Sequence, residues 1–334
     1  MSDDRQSPSA LAPTTVDPAR ADVVVLGEVL VELSSTEPLR EGASLRLGFS
    51  GDALNVAAAA AAAGARTTLV ARIPDDELGD DLVRRIASLG IDTRQLRRVA
   101  GQHGLYLTHA DPDGERHFLY ARSGSVGSSL APADLNHDLL AGAGVVVASG
   151  VACAVSGSAA SAVLAAAELA PTFVYDPNLR PRLTTPDAAR ALLRRLAPLA
   201  AVVTPSWPTE ARLLLGTDVA DPGAALDALW RLGPAAVVMT RGADGALVRD
   251  DSGVIAVPGV PALNVVDQTG AGDCFTGTLA ARLALGDPLV EAVRLGTAAA
   301  SLSVGGQGGL GFVPTLEQTR VALSNAPSPT PGRA

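Results

Sequence analysis

Six short apolar runs, spaced along the chain, constrain its fold more than any other feature. They fall at 22–27, 67–71, 145–149, 173–175, 201–204 and 236–239. Runs of this kind, without polar alternation, read as strands buried on both faces of a parallel sheet. Helical patterns intervene at about 52–63, 77–89, 156–169, 186–197, 207–215 and 222–232. The alternation predicts a three-layer α/β fold with a mostly parallel central sheet and right-handed crossovers. Two stretches break the rhythm: 45–49, and a hairpin of 105–109 and 116–121 about the turn Asp111-Pro112-Asp113-Gly114. Their polar–apolar alternation predicts a small antiparallel β lid over the carboxyl ends of the parallel strands, where such sheets bind ligands.

The alternation assigns residues 21–324 to one domain, with lid strands near 33–50 and 104–122. The flanking segments 1–20 and 325–334 are Pro/Ser-rich tails expected to be disordered. No apolar run approaches the ~20 residues of a membrane span; the longest is 56–63. No signal peptide is recognised, so a cytoplasmic location and no membrane partner are expected. A net charge of -9 argues against a nucleic-acid partner. Cys153 and Cys274 lack CxxC spacing, and the four histidines stand at non-ligand spacings, so neither a zinc site nor a disulfide framework is indicated.

All 26 basic residues are arginine. The lack of lysine excludes a Walker-type phosphate loop, a protein-kinase strand lysine and Schiff-base chemistry. A chain like this must hold an anion with backbone amides and arginines. The stretch that offers them is Asp267-Gln268-Thr269-Gly270-Ala271-Gly272-Asp273-Cys274-Phe275, which opens an apolar helix. The amides of Gly270, Ala271 and Gly272 form a candidate anion hole at the helix N-terminus, with Asp273 in the first turn as a candidate base.

Four further constellations and one isolated acid stand along the chain. In Gly51-Asp52-Ala53-Leu54-Asn55, Asp52 and Asn55 either hold ligand hydroxyls or act as an N-cap and a surface residue. Tyr106, Tyr120 and Arg122 either clamp a hydroxylated carboxylate or form a packed, exposed strand edge; Tyr120 and Arg122 share a face. Asp176-Pro177-Asn178-Leu179-Arg180-Pro181 follows a strand, as a site loop or a structural turn. Thr240-Arg241-Gly242-Ala243-Asp244-Gly245 either wraps a nucleotide or joins two strands. Glu210 is a dipole-favoured surface acid or part of a magnesium–water network.

In this order, Gly51-Asp52-x-x-Asn55, a lid, and a late Gly-Ala-Gly-Asp resemble the ribokinase-like (PfkB) family of carbohydrate kinases over about residues 22–320. Gly27-Glu28, Gly104-Leu105-Tyr106, Tyr120-x-Arg122 and Asp176-Pro177-Asn178-Leu179-Arg180 are most similar to the 2-keto-3-deoxygluconate kinases within it. The resemblance implies ATP, Mg²⁺ and phosphorylation of a sugar hydroxyl, with Asp273 as base. It assigns Gly51, Asp52, Asn55, Tyr106, Tyr120, Arg122 and Arg180 to the sugar. The nucleotide would fall to Asn178, Arg180, Thr240, Arg241, Gly242, Gly245 and Thr297. Glu210 would act indirectly on the metal, although Trp207 and Thr297 replace asparagines common in the family. It also implies a small-molecule sugar or sugar-acid partner and a homodimer or higher homo-oligomer through the lid. A neutral-sugar kinase of the same family is the alternative, and a non-catalytic sensor a more distant one. The run Gly305-Gly306-Gln307-Gly308-Gly309 is expected to be a mobile loop on the nucleotide side.

Overall fold

A computed structural model describes residues 21–35, 37–110 and 116–325. Of the expected tails at 1–20 and 325–334, all but Asn325 lies outside the described residues, as does the hairpin turn at 111–115; Asn325 closes the last helix. The strands are β1 (Val23–Leu26), β2 (Leu30–Ser35), β3 (Arg46–Ser50), β4 (Thr67–Pro74), β5 (Ile91–Asp92), β6 (Leu96–Val99) and β7 (Leu105–Ala110). They continue with β8 (Arg116–Ala121), β9 (Val145–Ser149), β10 (Phe173–Asp176), β11 (Val202–Val203), β12 (Ala236–Thr240), β13 (Ala246–Asp250) and β14 (Gly253–Val257). The helices are α1 (Asp52–Ala62), α2 (Glu77–Ser88), α3 (His137–Gly142), α4 (Gly150–Ala154), α5 (Gly157–Leu169) and α6 (Pro186–Leu196). Then follow α7 (Thr209–Leu215), α8 (Pro222–Trp230), α9 (Ala271–Ala284), α10 (Leu289–Ser303) and α11 (Leu316–Asn325).

All six apolar runs contribute strands to one sheet, in the order β14-β13-β12-β11-β10-β9-β1-β4-β5, with β6 also paired to β4. From β12 through β5 the pairing is parallel, and β13 and β14 add an antiparallel edge. Successive valines point to opposite faces, as strand geometry requires. Val24 and Leu26 pack among α4 to α8, whereas Val23 and Val25 pack among α1, α2, α9 and α10. Both faces are therefore dry, which is why the runs carry no polar alternation.

The second sheet has the order β3-β2-β7-β8. Its outer pairs are antiparallel, as expected, but its middle pair, β2 with β7, is parallel. That join depends on β2, whose pairing bridges segments far apart in the chain. The helix expected at 207–215 starts instead at Thr209, because Pro208 takes its N-cap position.

α1 and α9 pack against each other through small residues. A Cβ on Gly277 would lie 2.2 Å from the Val56 carbonyl oxygen and 2.8 Å from the Ala59 Cβ. That approach brings the N-termini of the two helices to one place. Gly277→Ala is expected to destabilise the fold by about 1–3 kcal/mol through overpacking, outweighing the gain of about 1 kcal/mol in helix propensity. Chemical denaturation measures the balance, and an unshifted midpoint would contradict the close packing.

Candidate active site

The carboxyl ends of β1, β9, β10, β11 and β12 converge beside a cavity of about 1050 Å³. Helix α9 enters it behind Gly270, whose φ of 80° lies in the left-handed region, and no side chain caps the helix. The Ala271 amide donates to the Gln268 carbonyl at 3.3 Å. Among the described residues, the amides of Gly272 and Asp273 have no backbone acceptor. Of the candidate anion hole, Gly270 and Gly272 line the cavity, as does Asp273, while the Ala271 amide is turned to Gln268.

Asp273 is buried at 8% exposure and held by two carboxamides. Asn55 Nδ2 donates to its Oδ2 at 2.8 Å, and Asn178 Nδ2 to its Oδ1 at 3.3 Å. Burial, followed by the nearby charge of Asp52, pushes the Asp273 carboxyl up to about 6, against the pull of Asn55, Arg180 and Asn178. A carboxylate at that value accepts a proton near neutrality and can release it again. Asn178, expected on the nucleotide, lines the cavity and has its side chain on Asp273. Its φ of 38° is the sole positive value outside glycine among the described residues, and its amide donates to Asp176 Oδ1.

Asp52 opens α1 behind Gly51, where a Cβ would come within 2.8 Å of the Glu28 carbonyl oxygen. Asp52 is not the N-cap; its Oδ2 accepts a short hydrogen bond from Ser149 Oγ. Burial, only partly offset by this bond, raises its carboxyl above the ordinary range.

From the lid, Tyr106 and Tyr120 face each other across β7 and β8, with ring centroids 6.1 Å apart. The Tyr106 hydroxyl donates to Glu32 Oε2 at 2.5 Å. Arg122 is buried rather than exposed on an edge. Its Nε and Nη2 both donate to Glu28 Oε2, and Ser125 Oγ donates to Glu28 Oε1 at 2.6 Å. Glu28 is 1% exposed, and burial raises its carboxyl although the Arg122 charge opposes this. The side-on edge of the guanidinium is thus taken. Nη1 and the second Nη2 hydrogen remain on a residue that lines the cavity.

Arg180, Thr240, Gly242 and Glu210 also line the cavity. Glu210 ties two loops: Oε1 accepts from the Leu179 amide at 2.6 Å, while Oε2 accepts from the Ser206 amide and hydroxyl at 2.6 and 2.9 Å. The other expected nucleotide contacts are not brought there. Arg241 closes the β12–β13 turn, its Nη2 donating to the Asp244 carbonyl. Gly245 packs against the backbone of Val257 and Gly259, and the buried Thr297 hydroxyl donates to the Val293 carbonyl within α10. In the glycine-rich run at 305–309, Gly305 and Gln307 are exposed while Gly308 is buried. The Gly308 amide donates to Asp267 Oδ2 at 2.5 Å, and a Cβ on Gly270 would meet the Gly309 Cα at 2.8 Å.

The description "pfkB family carbohydrate kinase" matches residues 20–316 of the chain. The chain belongs to that family. Among curated relatives, the kinase is 33% identical to a 2-dehydro-3-deoxygluconokinase of Thermoproteus tenax, over 92% of this chain and 96% of that one. A crystal structure of a PfkB protein from Polaromonas sp. JS666 superposes with a TM-score of 0.79 at 28% identity, covering 90% and 99% of the two chains. A fructokinase from Xylella fastidiosa with bound ATP shares the fold at a TM-score of 0.80 and 23% identity, covering 91% and 98%.

Sequence reasoning gave no role to Glu28, Ser149 or Glu32, which contact Arg122, Asp52 and Tyr106. Glu28 carried a signal, since a carboxylate at the end of a buried strand needs a partner. Ser149 and Glu32 carried none. Activity of the kinase is expected to fall as pH drops through about 6, because protonated Asp273 cannot accept a proton. In Asn55→Leu the carboxylate loses a stabilising donor, so the acid limb of kcat/KM should move to higher pH. A limb that stayed in place or moved down would contradict this role for Asn55.

Proposed function

We propose that this kinase transfers the γ-phosphoryl of ATP to the 6-hydroxyl of 2-keto-3-deoxygluconate. The observation that carries the sugar assignment is Arg122, a buried arginine whose side-on edge is taken by Glu28 while the residue lines the cavity. Its remaining hydrogens suit an end-on fork to the sugar carboxylate. The name of the Thermoproteus tenax relative points to the same acid. Asp52, Asn55, Gly51, Tyr106 and Tyr120 bind and orient the sugar, and Arg180 reaches both sugar and phosphates.

In this reading Asp273 takes the proton of the attacking hydroxyl. That oxygen forms a bond to the γ-phosphorus as the bond to the β-phosphate oxygen breaks and ADP leaves. The α9 N-terminus, at Gly270 and Gly272, neutralises charge gathering on the phosphoryl oxygens. Thr240 and Gly242 border the nucleotide, the ligand named for the Xylella fastidiosa fructokinase. Among the described residues no group of three or more His, Cys, Asp or Glu side chains could hold an ion. Magnesium, which neutralises phosphate charge when bound, would then be held mainly by the nucleotide. Glu210, whose oxygens already accept three hydrogen bonds, acts only through water.

No described helix is long and apolar enough to cross a membrane, and we place the reaction in the cytoplasm, where ATP is at hand. We also place a homodimer contact on the outer face of the lid. There Leu47 and Leu119 are 48% and 56% exposed, in one row with Leu33 and Leu107.

Asp273→Ala is expected to lower kcat by about 10²–10⁴-fold while sugar binding is retained; near-normal turnover would refute the assignment of the base. Arg122→Ala is expected to raise KM for 2-keto-3-deoxygluconate by about ten-fold or more, a larger change than in any turnover of fructose, because the stranded Glu28 burdens both sugars alike. A panel of sugars with ADP detection decides between readings: fructose or ribose outperforming the acid establishes the neutral-sugar alternative.

A further inference from the structure

A second cavity, of about 310 Å³, lies on the opposite side of the 176–181 loop, between α4, α5 and α6. Its walls are largely apolar, with Ala160, Ala188, Leu192 and Leu214 among them. Tyr175 lines it, and that residue is 1% exposed. Its hydroxyl is placed beside Gly150, another wall residue, where a Cβ would come within 3.1 Å of it. Among the described residues no hydrogen bond engages the hydroxyl, which opens onto the cavity. A tyrosine hydroxyl that opens onto a cavity can bond whatever polar group enters it. Arg195 also borders the cavity, on the exposed side of α6, and no described carboxylate pairs with it. At roughly 30 Å³ per water-sized group, the space suits about ten non-hydrogen atoms.

The walls also include Pro177 and Leu179. Between them in sequence stands Asn178, which donates to Asp273, and the Leu179 amide is anchored on Glu210. The back of the second cavity is therefore the back of a loop whose front belongs to the active site.

We infer that this cavity is an effector site for a small carboxylate with a compact apolar body. The carboxylate sits at Arg195, the body lies against the alanine and leucine walls, and a polar group at the far end meets the Tyr175 hydroxyl. An occupant packs behind Pro177 and Leu179 in the conformation that seats Asn178 on Asp273. It binds this conformation of the loop preferentially and so favours it. Occupancy therefore lowers KM for the substrates engaged by the loop.

The test uses the full-length kinase and 4-hydroxybenzoate, which has about the size that the volume allows, with 4-hydroxybenzamide as the uncharged control. Calorimetry is expected to detect the acid and not the amide. Arg195→Ala should weaken binding about ten-fold and Tyr175→Phe about five-fold. Leu192→Trp, which fills the cavity, should abolish binding without loss of basal turnover. With 4-hydroxybenzoate saturating, KM for ATP should fall by about five-fold. Arg122→Ala serves as the control for binding in the active-site cavity: affinity lost there and kept in Arg195→Ala overturns the proposal. No binding to the wild-type protein also overturns it, as does binding that leaves KM unchanged. The outcome does not depend on which sugar is phosphorylated, since any turned-over sugar reports KM for ATP.

Discussion

The hydrogen bond from Asn55 Nδ2 to Asp273 Oδ2, 2.8 Å long, joins residues 218 apart in the sequence. Asn55 lies in the first turn of α1 and Asp273 in the first turn of α9, so the bond exists only where two helix N-termini meet. The meeting depends on Gly277, which lets α9 approach the backbone of α1. It also depends on Gly309, where a Cβ would lie 2.4 Å from Asn55 Nδ2. Three backbone segments are brought closer together than side chains would allow, and the reward is one oriented carboxylate beside uncapped amides.

That crowding explains the electrostatics. Asp52, Asp176 and Asp273 all lie on the wall of one cavity, and burial raises the carboxyl of each. Such a cluster would be intolerable if every member were charged and unpaired. Ser149 bonds Asp52, Thr276 and the Asn178 amide bond Asp176, and two carboxamides bond Asp273. Arg180 adds a positive charge that draws all three carboxyls down. The site therefore holds three carboxyls raised by burial, that of Asp273 to about 6.

The lid handles its charges by a different rule. Arg122 and Glu28 are both buried and mutually neutralised, and the Glu28 side chain fits only because residues 104 and 127 are glycine. Removing one member would strand the other without a counter-charge. The pair fixes which edge of the guanidinium is free, so recognition of a carboxylate is a matter of orientation more than of net charge.

The sequence by itself determined the layer architecture, because runs such as 145–149 and 173–175 are apolar on both strand faces and have no other stable placement. It also determined the uncapped helix opening at Gly270, since glycines before an apolar helix carry their own backbone geometry. Asp52, Asn55 and Arg122 were legible only as candidates, each with an ordinary surface reading. Tertiary structure decided among these by burying Asn55 and Arg122, half-burying Asp52, and giving each a partner from a remote segment. It also assigned Asn178 to Asp273 and withdrew Arg241, Gly245 and Thr297 from the cavity. The physical reason is the same in each case. Local pattern specifies how a segment folds, but a polar side chain takes its role from whatever distant group desolvates and bonds it, and spacing along the chain does not encode that neighbour.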